Sequence, residues 1–101
     1  MAKIDYEKLA AEIIGKVGGT ENIHTVSHCA TRLRFVLKDR SLANEKELRQ
    51  LQGVLGSVYG SGQFQVILGE NLFPVYDAIL KNYNLDEGEE VQENHVEDLE
   101  L

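Results

Sequence analysis

Cys29 is the only cysteine of the chain, and arginines follow it at the third and fifth positions, within His28-Cys29-Ala30-Thr31-Arg32-Leu33-Arg34-Phe35. A cysteine attacks as its thiolate, and nearby positive charge favours that form. Arginine grips a phosphoryl group through its planar fork of donors. Thr31 adds a hydroxyl donor beside the arginines. A nucleophile next to oxyanion-binding donors is what phosphoryl transfer to sulfur requires. The same residue types fit a blander picture: an inert cysteine buried as a small hydrophobe, and two arginines on a solvated strand face. Thiol reactivity separates the two, because an inert thiol titrates at or above about 8.5.

Alternation says how the residues are presented. If Arg32 starts a strand, Arg32 and Arg34 share one face, and Leu33, Phe35 and Leu37 take the other. Both guanidinium groups then lie beside Cys29 in the preceding turn, where successive backbone N–H groups can form an anion-binding nest. His28 could lower the thiol pKa or shuttle a proton. Adjacent strand residues point to opposite faces, however, so its contact with Cys29 depends on the turn. His24 reads as a surface histidine. A metal site from His24, His28 and Cys29 lacks a fourth ligand and any established spacing.

The flanking elements read as follows. Asp5 caps a first helix, whose stripe is Tyr6, Leu9, Ala10, Ile13, Ile14 and Val17, and Gly18-Gly19 ends it. Ile23 to His28 is a strand, residues 28–31 a turn, and Arg32 to Lys38 the second strand of a hairpin. Asn44 with Glu47 opens a short second helix that Gly53 ends, with Leu48 and Leu51 facing the core. Val54 to Tyr59 is a third strand, Gly60-Ser61-Gly62 a turn, and Gln63 to Leu68 a fourth strand. Phe64, Val66 and Leu68 point inward there, and Gln63, Gln65 and Ile67 outward. Asn71 caps a third helix with Pro74 in its first turn, and Asn84 terminates it. The order α-β-β-α-β-β-α, with two hairpins and no long crossover, predicts an α+β fold. Its four-stranded sheet is mostly antiparallel, with three helices on one face.

Two separated motifs carry a family resemblance. His28 to Phe35 resembles the phosphorylation-site signature of the enzyme IIB domain of the bacterial sugar phosphotransferase system, in its glucose/sucrose/β-glucoside superfamily. Gly62-Gln63-Phe64-Gln65-Val66-Ile67-Leu68-Gly69 is the second match, and the resemblance runs from about Tyr6 to Leu85. His28 and Ala30 are more similar to the β-glucoside and sucrose branch than to the glucose branch. The resemblance implies that Cys29 accepts a phosphoryl group from a phosphohistidine of the enzyme IIA domain. Cys29 then passes it to a sugar held by the enzyme IIC membrane domain, β-glucoside or sucrose being favoured. Phosphoryl binding then falls to Thr31, Arg32, Arg34 and Gln65, with His28 and Gln63 as auxiliary candidates. No cofactor or metal is implied, and the domain would sit at the cytoplasmic face of the bacterial membrane as part of a permease. A cysteine phosphatase fits less well, because its loop places arginine six positions after the cysteine, where this chain has Phe35.

Composition sets the remaining bounds. The 101 residues suffice for one small domain. A single cysteine excludes an internal disulfide and multi-thiolate zinc sites. No apolar run approaches the roughly 20 residues of a membrane span, and Met1 to Val17 is too charged for a signal peptide. The net charge is −7, yet residues 86–101 hold eight of the 17 acids and no lysine or arginine, leaving nine acids against ten bases in residues 1–85. Neither part shows the basic stripe of a nucleic-acid binder. The expectation is therefore a phosphoryl-carrier domain over 1–85 and an acidic disordered tail or linker over 86–101. The resemblance implies that this tail begins the connection to a membrane carrier domain.

Overall fold

The computed structural model describes residues 4–83 and 85. The acidic stretch 86–101 and the expected terminator Asn84 lie outside the described residues.

The Asp5 carboxylate accepts the Lys8 N–H at 3.1 Å and caps helix α1, Tyr6–Lys16. Leu9, Ala10, Ile13 and Ile14, spaced by three and four, form its buried stripe. Gly18 and Gly19 stop the helix at φ 109° and 85°, angles that side chains with a Cβ seldom adopt. A short 3-10 turn, Thr20–Asn22, leads into strand β1, Ile23–His28, which pairs antiparallel with β2, Arg32–Leu37. A second 3-10 turn, Arg40–Leu42, precedes helix α2, Glu45–Leu48, capped by the Asn44 side chain as the sequence predicts. Strands β3, Gly56–Gly60, and β4, Gln63–Ile67, form the second hairpin. Its two-residue loop, Ser61 and Gly62, has φ of 55° and 74°, both positive as in the type I′ turns that match strand twist. A third 3-10 turn, Gly69–Asn71, opens helix α3, Leu72–Asn82.

The sheet order is β1-β2-β4-β3, antiparallel throughout, so the two hairpins join through β2 and β4. Leu33, Phe35, Phe64 and Val66 point to the helix side and are fully buried with Ile13, Val17, Leu72, Val75 and Ile79. The predicted α+β architecture, element order and helix-covered face are those observed.

Three local expectations are corrected. The third strand begins at Gly56 rather than Val54, because the Val54 N–H is already spent on the Leu51 carbonyl in the turn after α2. Leu68 leaves β4, its N–H turning to the Thr31 carbonyl. Asn71 does not cap α3 with its side chain. Its Oδ1 instead accepts the Tyr6 hydroxyl at 3.1 Å and its Nδ2 donates to the Gly53 carbonyl at 3.2 Å, pinning α3 to α1 and the α2 exit. Gln63 takes the predicted outward face but is only 8% exposed. Alternation selects a face, while exposure depends on the neighbours standing beside the side chain.

Asn22 is a buried junction that pattern reading missed. Its Nδ2 donates to the carbonyls of Val17 (2.8 Å) and Asp39 (2.9 Å), and its Oδ1 accepts the Asp39 N–H at 2.8 Å. One amide thereby ties the end of α1 to the exit of β2, with both its donors and its oxygen directed at backbone groups.

Candidate functional site

Cys29 stands half-buried where β1 ends, and its N–H donates to the Arg32 carbonyl at 3.0 Å, closing the loop between β1 and β2. The loop is held from across the sheet as well. The Thr31 carbonyl accepts two successive N–H groups, of Leu68 and Gly69, each at 3.0 Å. Gly69 sits at φ 58°, which lets the chain turn as it presents its N–H. The second predicted motif therefore matters partly through its backbone, at the point where β4 hands over to α3.

Partial burial pushes the Cys29 thiol up. The backbone N–H groups of Thr31 and Arg32, and then the charge and side-chain hydrogen bond of Arg34, favour the thiolate and outweigh it, leaving the thiol below its ordinary range. Among the described residues, no carboxylate is among the groups that shift the thiol. Thr31 contributes to this shift through its backbone N–H.

The two arginines share the sheet face away from the helices but differ in engagement. Arg34 lies in the cross-strand row Ser27, Arg34, Gln65, Val58 and reaches the sulfur. Its Nε–H is buried without a hydrogen-bond partner. Arg32 donates from Nη1 to Gln65 Oε1 at 3.1 Å, so Gln65 aims the Arg32 fork rather than touching sulfur. Gln63 lies two residues further along β4, at the hairpin end where it pairs with Gly60.

His28 falls on the helix side of the sheet. Its ring meets Phe73 at 5.3 Å and Tyr76 at 4.4 Å between centroids, edge-on to both. Its Nδ1 lies 2.8 Å from the Cys29 carbonyl. His24 is exposed at an irregularity in the β1–β2 register. Among the described residues no three His, Cys, Asp or Glu side chains come together as metal ligands, and no helix is long and apolar enough to cross a membrane. Sequence reasoning missed Phe73 and Tyr76 as ring partners, since a helical apolar stripe looks the same whether it meets core or site.

This chain is similar to known proteins over the stretch that holds the Cys29 loop. The family model described as phosphotransferase system, EIIB, matches residues 11–44, the stretch from mid-α1 through the Cys29 loop to Asn44. The chain is 45% identical over 84 residues to the PTS system beta-glucoside-specific EIIBCA component of Bacillus subtilis (strain 168), covering 83% of this chain and 14% of that protein. It is 42% identical over 93 residues to the PTS system sucrose-specific EIIBC component of the same organism, covering 91% of this chain and 20% of that one. The chain thus spans a fifth or less of these relatives. It also superposes, with a TM-score of 0.77 and 39% identity, on the crystal structure of one domain of the PTS system IIabc component from Clostridium difficile, covering 82% of this chain and 86% of that one.

Proposed function

The chain belongs to the EIIB family of the phosphotransferase system, and from that premise we propose that Cys29 carries a phosphoryl group between a phosphohistidine donor and a sugar. The Cys29 thiolate attacks phosphorus on the histidine of an enzyme IIA domain. An S–P bond forms, the P–N bond breaks, and its electron pair stays on the imidazole. In the second step a sugar hydroxyl, held by an enzyme IIC membrane domain, attacks phosphorus and loses its proton to water or a base at the sugar site. The S–P bond breaks and the thiolate returns. The similarity to beta-glucoside- and sucrose-specific components favours those sugars and a place on the cytoplasmic face of a membrane permease.

The observation that carries this reading is the convergence on one sulfur of two backbone N–H groups and the Arg34 guanidinium. These donors favour the attacking thiolate and stand where phosphoryl oxygens would gather once sulfur is esterified. The chemistry asks the protein mainly for position and charge. Arg34 has a donor to spare in Nε. Arg32, steadied by Gln65, supplies a second positive charge on the same face. A phosphatase reading finds no support, because Phe35, six positions after Cys29, is a fully buried core residue.

We also propose residues 1–85 as the carrier domain and 86–101 as its tail or linker. The test is intact mass and site mapping after incubation with phosphoenolpyruvate, the general phosphotransferase proteins and a cognate enzyme IIA. One phosphoryl group is expected on Cys29, and none in Cys29→Ser. Absence of label with several enzyme IIA partners overturns the reading.

A further inference from the structure

The backbone of Cys29 is held on both sides, once by the hairpin's backbone and once by a side chain. Its N–H is taken by the Arg32 carbonyl at 3.0 Å. Its carbonyl lies 2.8 Å from His28 Nδ1. A carbonyl oxygen can only accept, so the proton of this bond belongs to Nδ1. The His28 ring is on the opposite sheet face from the arginines and packs edge-on to Phe73 and Tyr76 of α3, at 5.3 and 4.4 Å. Those contacts restrict the ring's rotation. A peptide unit is planar, so fixing the Cys29 oxygen fixes the plane that also carries the Ala30 N–H. The next two N–H groups, of Thr31 and Arg32, are the ones that return to the sulfur.

We propose that His28 is a positioning residue. Its Nδ1–H grips the Cys29 carbonyl, and its ring, braced on Phe73 and Tyr76, sets the turn that aims the Thr31 and Arg32 N–H groups at the Cys29 sulfur. His28 neither shuttles a proton to the thiol nor touches a phosphoryl group in this role; it acts through the backbone. The inference rests on the carrier reading for its purpose, but its geometry is tested without any partner protein.

The experiment compares two substitutions that separate the hydrogen bond from the packing. His28→Asn places an amide donor near the Nδ1 position and loses the ring. His28→Phe keeps an aromatic ring and loses the donor. The iodoacetamide alkylation rate of Cys29 is followed against pH in the free chain. His28→Phe is expected to slow alkylation about three- to tenfold near pH 7 by raising the thiol's midpoint, while His28→Asn stays within about twofold of wild type. Equal effects of the two substitutions, no effect of either, or a larger effect of His28→Asn overturn the proposal. A second measurement needs no variant: nitrogen-15 shifts of His28 in wild type should show the neutral ring protonated at Nδ1, and the Nε2-protonated form overturns it. Phosphorylation of Cys29, read separately by mass, tests the carrier reading, so either idea can fail without the other.

Discussion

Arg32 and Arg34 occupy one strand and one face, yet only the Arg34 side chain bonds the sulfur, while the Arg32 guanidinium is turned toward Gln65. Their identical side chains should therefore fail differently. Arg34→Gln is expected to raise the Cys29 midpoint and slow iodoacetamide alkylation several-fold at neutral pH. Arg32→Gln should leave the alkylation curve in place and lower phosphoryl transfer instead, measured with enzyme IIA and sugar-bearing membranes. The direction of the thiol shift also has a stability consequence. A thiol depressed in the fold binds its proton less readily there than in the unfolded chain, so its contribution is present above the unfolded midpoint and lost as pH falls through the folded one. Urea midpoints of wild type should rise relative to Cys29→Ser as pH increases through that interval. An unchanging difference between the two proteins would show that the thiol is not shifted.

Among the elements, the junction at Asn22 is the sharpest dependence. Its amide is 3% exposed and serves three backbone groups. Asn22→Ala should cost about 2–4 kcal/mol in urea unfolding, because the buried Val17 carbonyl and the half-buried Asp39 carbonyl and N–H lose their partner. Gly18→Ala should also destabilise, since an added Cβ would lie 2.7 Å from Asn22 Nδ2 at a φ of 109°. The elements themselves were legible because their signals are local: the stripe of α1, the Asn44–Glu47 cap, and the alternation around Leu33 and Phe35. What escaped the sequence depends on neighbours brought from afar. Asn71 looks like a cap, but Tyr6 and Gly53 claim its amide. The placing of Cys29, Arg32 and Arg34 together was readable from spacing. Which arginine meets sulfur was not, because Gln65 arrives on another hairpin.

Viewed as a whole, the molecule exposes large apolar side chains beside the groups that hold the Cys29 loop. Phe73, 54% exposed, stands beside His28, and Leu55, 70% exposed, lies against Gly69, whose N–H holds the Thr31 carbonyl. A donor domain that brings its phosphohistidine to the sulfur would cover this rim. Leu55→Ser is then expected to raise KM for phosphorylated enzyme IIA several-fold with kcat and the alkylation curve near wild type; an unchanged KM would move the docking surface elsewhere.

The double hold on the Thr31 carbonyl has a consequence for the order in which the protein comes into being. The loop at residues 29–31 is clasped by the N–H groups of Leu68 and Gly69, which are synthesised almost forty positions later. A nascent chain that has emerged only through β2 has the cysteine, both arginines and the hairpin residues, but not the clasp or Gln65. The reactive thiol is thus a property of the finished domain, switched on late in translation. Chains stalled before Leu68 should carry Cys29 as an ordinary, slowly alkylated thiol.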